Sequence, residues 1–304
     1  RSARDHDDNM SGIDNMRFEF TSGDWKLSGD YQRYLTDGES RFAGMANPIL
    51  SLASNAIDVG VGYNYNNWSF GARAFSGHIT DEGLVENDPT ISSKYEPMRL
   101  GAVAGAESVV GWNGDWVGMK IAFGTMREDN TVLGAYGAGM FDFGAANTEY
   151  VDANASIGVA ENVRLRARAT FAHTHSGGES DAMVQMSDID SNAFAIGADV
   201  GNFSFGASMP LAVTHGDMRY AYADYDIVDG VDGRYDLVMR DAGMRDLDMS
   251  AHSRELRFNA SYRHSFGEFT DGAVGFIYRV NPNNIRKYGN ESIFMMKLSH
   301  AIGI

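Results

Sequence analysis

The chain has 304 residues, 43% of them hydrophobic, no cysteine and a formal net charge of −16. Without cysteine it has no disulfide, thiol nucleophile or thiolate metal site, and so acidic a balance argues against a basic patch for nucleic acid or anionic lipid. Its five prolines are scattered, no Gly/Ser- or Pro-rich linker divides it, and no run reaches the roughly 18 consecutive apolar residues of a membrane-spanning helix. A mean hydropathy of −0.30 does not decide between water and lipid, because a barrel with a polar lumen averages its two faces.

Arg1 to Met10 is charged and has no apolar h-region, so the expectation is a leader already removed or a piece of a longer precursor. Residues 1–15 read as a flexible, acidic lead-in, and residues 16–304 as one domain. From Met16 onward, apolar residues alternate with polar ones in short runs separated by Gly, Asn and Asp, the period of two that marks strands. Met16, Phe18 and Phe20 share one face, then Trp25, Leu27, Gly29 and Tyr31. Ile57, Val59, Val61, Tyr63 and Tyr65 follow, and across Asn66-Asn67 come Trp68, Phe70, Ala72 and Ala74, which predicts a hairpin.

Residues 99–110 form a weaker strand, and Val117, Met119, Ile121 and Phe123 a clear one. Val151 to Val159 alternates at odd positions, as does Val163 to Phe171, the latter against Arg164, Arg166 and Arg168. Residues 194–200 and 203–213 form a hairpin closed at Gly201-Asn202. Leu256, Phe258, Ala260 and Tyr262 alternate against Arg257, Asn259, Ser261 and Arg263; Val274, Phe276, Tyr278 and Val280 come next. A closing strand, residues 292–304, carries Phe294, Met296, Leu298, His300, Ile302 and Ile304 on one face, of which Phe294, Met296, Leu298, Ile302 and Ile304 are the signal expected to turn toward lipid.

About twelve strands are expected, in an all-β, antiparallel up-and-down barrel of outer-membrane type. In a sandwich the outer face meets water and mixes Lys, Glu, Thr and Ser; here the polar face carries arginines in series, which need carboxylate partners in a confined interior. Asp152, Asn154, Arg164, Arg166, Arg168, Arg257 and Arg263 are therefore the expected lumen-facing residues. Long acidic or neutral loops are expected at residues 77–97, 176–191 and 215–233, and short turns at Asn66-Asn67, Ala160-Glu161-Asn162 and Gly201-Asn202.

No constellation points to catalysis. His173 and His175 share one strand face, a spacing open to a transition metal, but beside Ser176-Gly177-Gly178 they read as interfacial or loop histidines, and no metal is expected. Asp224, Asp226, Asp229, Asp232 and Asp236 crowd one loop without EF-hand order, so they read as a solvated acidic loop. The glycines of residues 134–144 open no helix and read as close backbone packing or a bulged turn. The paired carboxylates Glu128-Asp129 and Asp188 with Asp190 read as surface charge, and no cofactor is expected.

Three stretches carry a resemblance. They are Asn47-Pro48-Ile49-Leu50-Ser51-Leu52-Ala53 before the first hairpin, Glu128-Asp129-Asn130-Thr131-Val132-Leu133-Gly134 with Gly139-Met140-Phe141 and Thr148-Glu149-Tyr150-Val151-Asp152, and residues 204–213 with Ser253-Arg254-Glu255-Leu256. Together they resemble the C-terminal region of subtilisin-like serine protease autotransporters. The resemblance implies a translocator barrel in the bacterial outer membrane, at the cell surface, that exports or anchors an N-terminal protease passenger. Lipid, the barrel-assembly machinery and the passenger are then the implied partners. No Gly-Thr-Ser, Asp-Ser/Thr-Gly or His-Gly-Thr-His motif is present, so no catalytic residue is carried over and the chain is not expected to be an enzyme. The rival readings are a porin-like channel and a non-secreting structural or adhesive module that self-assembles into homo-oligomers.

Overall fold

A computed structural model describes residues 15–34, 47–80, 99–136, 143–176, 183–229, 235–267 and 270–300. The strands are β1 (Asn15–Ser22), β2 (Trp25–Tyr34), β3 (Ser54–Tyr65), β4 (Trp68–Thr80), β5 (Arg99–Asn113), β6 (Val117–Asp129), β7 (Thr131–Val132), β8 (Ala135–Tyr136) and β9 (Ala145–Ala160). The second half adds β10 (Val163–Ser176), β11 (Val184–Met186), β12 (Ile189–Val200), β13 (Phe203–His215), β14 (Asp217–Asp229), β15 (Tyr235–Asp248), β16 (Leu256–Ser265), β17 (Thr270–Val280) and β18 (Glu291–His300).

Thirteen strands form one antiparallel sheet in the order β1-β2-β3-β4-β5-β6-β9-β10-β12-β13-β16-β17-β18. Its links fall into two classes. At one end, two-residue turns join Ser22 to Trp25, Tyr65 to Trp68, Ala160 to Val163 and Val200 to Phe203. Asn66 and Gly201 there adopt positive φ, which such tight turns demand and which Asn and Gly tolerate. At the other end lie the long links, which carry the small β7–β8 hairpin and the separate three-stranded sheet β11-β14-β15.

The structure corrects several expectations. The described residues form eighteen strands where about twelve were expected, because segments that read as loops are themselves paired. Residues 217–229 and 235–248, inside or beside the expected loop 215–233, form a long hairpin in which Asp224 and Asp226 are strand residues. Closely spaced aspartates disguised its alternation. The Tyr222 hydroxyl donates to Asp241 at 2.6 Å, an acceptor that raises the phenol's pKa, and the Arg245 guanidinium lies 3.9 Å over the Tyr222 ring. The weak strand at 99–110 is the 15-residue β5, whose Gly101, Ala102, Ala104, Gly105 and Ala106 dilute the pattern. Parts of the expected loops 77–97 and 176–191, and the lead-in before Asn15, lie outside the described residues. The expected closed barrel becomes an open sheet: with thirteen strands β1 and β18 run the same way, and no ladder joins them among the described residues.

The sheet is nevertheless wrapped. A 3-10 turn at Leu50–Leu52 packs Ile49 and Leu50 into one buried cluster with Ala56, Phe75, Ile79, Val103, Met126, Tyr150 and Ala172, and Leu211 lies against it. These residues come from β3 through β13, which a flat sheet would hold roughly 34 Å apart at ~4.8 Å per strand. Only a curled sheet brings them around one turn of chain.

The wall is thin where strands approach closely. A Cβ on Gly105 would lie 2.3 Å from the Thr125 carbonyl oxygen and 2.5 Å from the Phe75 ring. Gly105→Ala is expected to destabilise the fold by about 1–3 kcal/mol through overpacking, read as a lowered denaturant midpoint of the folded protein.

Candidate functional site

The two faces of the sheet have opposite chemistry, and the polar face builds the candidate site. On β10 the even positions point to the enclosed side: Thr170 and Thr174 are almost fully buried, and Arg168 and Arg166 share their face. The odd positions, Leu165 and Phe171, are exposed. The ladders carry this division across the sheet, so that Phe18, Trp25, Ile57, Val59, Phe70, Ile121, Phe123, Val151, Ile157, Ile196, Phe205, Phe258, Phe276 and Phe294 are all exposed on the outer side. Near the short turns aromatic rings meet in pairs, Trp25 with Tyr63, Trp68 with Phe70 and Phe203 with Tyr262.

The enclosed side is a set of ion pairs. Glu107, 3% exposed, accepts from Arg73 at 3.1 Å and from the Tyr150 hydroxyl at 3.0 Å, while Arg73 also lies 3.5 Å from Asp58. Asp152 is held bidentately by Arg168, whose Nε donates to one carboxylate oxygen at 2.6 Å and Nη2 to the other at 2.5 Å, and by the Thr170 hydroxyl at 2.7 Å. Asp199 accepts from Arg166 at 2.6 Å and from Ser204 at 2.7 Å. Glu255, 2% exposed, accepts from Arg257 at 2.5 Å and from Arg279 at 2.7 and 3.0 Å; Arg279 reaches Glu291 at 2.6 Å. Each of these four enclosed carboxylates thus has a guanidinium partner, the condition for keeping ions out of water.

Segment 47–53 is latched to this wall. The Asn47 carboxamide oxygen accepts from the backbone N–H of Ile49 at 3.0 Å, closing the turn, while its amide nitrogen donates to Glu107 at 3.4 Å. Beside it a cavity of about 340 Å³ is lined by Ser51, Leu52, Arg168, Thr170, Leu211 and Arg257. Toward the short turns a second space, about 500 Å³, is lined by Arg166, Asp199, Ser204 and Arg263.

Of the residues singled out in the sequence, Asp152, Arg166, Arg168 and Arg257 meet in these pairs. Asn154 is half-buried opposite Arg168 in the β9–β10 ladder, and Arg164 and Arg263 are exposed near the short turns, each lining a cavity with Asp199. Phe294 and Met296 are exposed on the outer side; Leu298 lies in β18, whereas Ile302 and Ile304 fall outside the described residues. Glu128, read as surface charge, is fully buried and accepts from the backbone N–H of Leu133 and Gly134 at 2.7 and 2.9 Å, a hairpin carboxylate that shapes the β7–β8 turn. Glu255, beside strands expected to supply carboxylates across the arginine series, does so from the link just before β16, whereas Arg73, Glu107, Asp199 and Arg279 were missed. For Arg73 and Glu107 the signal is faint: a single charge among glycines and alanines.

No protein-family model matches the chain, and no curated protein does. Among solved structures it is similar to the toluene transporter TodX of Pseudomonas putida, at 10% identity and a TM-score of 0.38, over 93% of this chain and 78% of that one. It is also similar to a FadL homologue of Pseudomonas aeruginosa, at 11% identity and a TM-score of 0.33, over 90% and 72%.

Arg168→Ala strands the buried Asp152 carboxylate and is expected to cost about 3–5 kcal/mol. Replacing both partners with apolar residues of similar volume should recover most of that loss. Denaturant midpoints of the two variants against wild type check the difference.

Proposed function

We propose that the chain is an outer-membrane β-barrel that passes small hydrophilic solutes, with segment 47–53 as an internal stopper. The observation that carries this reading is the inverted distribution of side chains: large apolar residues exposed around the outside, paired charges enclosed within. In water such an apolar surface would far exceed the few hundred Å² that soluble monomers expose, whereas in lipid it is the required outer band. The strands β3 to β13 of the main sheet have 12 to 16 residues, longer than the 9–11 that a tilted strand needs to cross hydrocarbon. Short turns at one end and long links at the other match the periplasmic and external ends of such barrels.

Solute passage is preferred to export of an N-terminal passenger, the role implied by the resemblance. The interior holds a segment of the chain itself, and the spaces there, about 340 Å³ beside that segment and about 500 Å³ toward the short turns, suit small molecules better than a polypeptide. Their charged lining favours polar solutes over apolar ones.

In planar bilayers the wild-type protein should give small or rare conductance steps. Replacing Ile49 and Leu50 together with Asp, which expels the stopper from its apolar seat, should enlarge them. Equal conductance from both, with both folded, contradicts the stopper.

Membrane placement has a separate test: Ile121→Arg on the outer side should cost about 2–4 kcal/mol in the bilayer if it lies near the midplane, and Ser156→Arg on the enclosed side much less. A wild-type chain that stays soluble and monomeric without detergent contradicts the membrane reading.

A further inference from the structure

On the outer side, just past Phe171 toward the long links, the apolar band gives way to a cluster of histidines and aspartates. His173 and Asp190 are direct partners in the β10–β12 ladder, so their side chains leave the same face at the same height. His175 follows two residues on, and Asp188 stands two residues before Asp190. The His173 Nδ1 lies 2.6 Å from the Asp190 carboxylate, which leaves Nε2 on the far side of the ring, 3.9 Å from Asp188 Oδ2. His175 Nδ1 lies 3.1 Å from Asp188 Oδ1. The two imidazoles stand edge to face, centroids 4.5 Å apart, with one ligand atom from each of His173, His175 and Asp188 lying within 4.8 Å of the others.

We infer that His173, His175 and Asp188 form a binding site for a divalent transition ion, with Zn²⁺ the best fit. Two imidazoles and one carboxylate suit Zn²⁺, Ni²⁺ or Cu²⁺ and select against Ca²⁺ and Mg²⁺, which take oxygen ligands. Bonds of about 2.0–2.2 Å in a tetrahedron place ligand atoms roughly 3.4 Å apart, so the three groups need only close inward by side-chain rotation. All three are exposed enough to do so, with side-chain accessibilities of 43, 51 and 59%. The fourth position is left to water or to an external ligand.

Two further features make this more than a chance meeting of polar groups. Asp190 stands behind His173 as the carboxylate that orients a metal-binding imidazole through its other nitrogen. The backbone that presents Asp188 is also fixed on both sides. Ser187 N–H donates to the Asp217 carbonyl at 2.9 Å, and its hydroxyl oxygen accepts from Asp217 N–H at 2.8 Å; Ile189, the next residue, is fully buried. A bound ion would join the end of β10 to the residue that precedes β12 on the outer side of the sheet.

The test is calorimetric titration of Zn²⁺ into the full, untagged chain, folded in detergent and stripped with EDTA. One ion per chain is expected, with no heat from Ca²⁺. The double variant His173→Ala/His175→Ala should lose that site, and Asp190→Asn, which keeps all three ligands, should weaken it about 10- to 100-fold. Co²⁺ in place of Zn²⁺ should give a visible absorption band that the double variant lacks. Heat-modifiable migration on gels confirms that each variant is folded. Absence of binding by wild type, or unchanged stoichiometry and affinity in the folded double variant, overturns the assignment.

Discussion

Everything in this molecule depends on the pairing of charges enclosed by the sheet. A strand with a period of two has two faces, and here the outward one has been given to apolar side chains, so polar groups are left for the interior. An unpaired carboxylate or guanidinium there would cost several kcal/mol. The chain meets that constraint by placing a partner on a neighbouring strand or link: Arg73 for Glu107, Arg168 for Asp152, Arg166 for Asp199, and Arg279 for Glu255. Most of these bonds join different strands, so the same interactions that neutralise the interior also resist sliding of the ladders.

The links divide the labour in the same way. Two-residue turns at one end fix register with little chain, and the aromatic pairs beside them form a rim. The long links at the other end supply what the sheet alone lacks. Segment 47–53 packs Ile49 and Leu50 against the enclosed side, and Glu128 folds a tight hairpin around its own carboxylate. In the link between β17 and β18, Asn281, Asn283 and Asn284 all adopt positive φ, and Asn283 both donates to Glu255 and accepts from Arg279. A left-handed backbone at three asparagines in four residues is what lets this link turn its polar atoms inward.

Much of the fold was legible because alternation is a strong signal wherever large apolar residues mark one face, as in Ile57 to Tyr65 or Val163 to Phe171. It failed where that marking is weak. In β5 small residues carry the ladder, and in β14 aspartates imitate a turn. The series Arg164, Arg166, Arg168 announced an enclosed charged face, and its partner Asp152 was found on the adjacent strand. Glu107 and Arg73 gave no comparable notice: each is one charge among glycines and alanines, and their meeting depends on ladder register, which sequence pattern does not specify. The inward fold of Asn47-Pro48-Ile49-Leu50 is a long-range event of the same kind. His173 and His175 showed the right spacing, but Asp188 and Asp190 reach them only through the β10–β12 register.

The proposed membrane placement requires that the outer side of the sheet face lipid and the enclosed side not. Since the chain has no cysteine, single cysteines can be introduced without interference and spin-labelled in vesicles, at Ala155, Leu165 and Ile196 on the outer side and at Ser156 and Arg166 on the enclosed side. Collision with oxygen, which concentrates in lipid, should be high for the first three and low for the last two, and collision with a water-soluble nickel chelate should show the reverse order. Equal accessibility at 165 and 166, or high chelate accessibility at all three outer positions, would contradict the account.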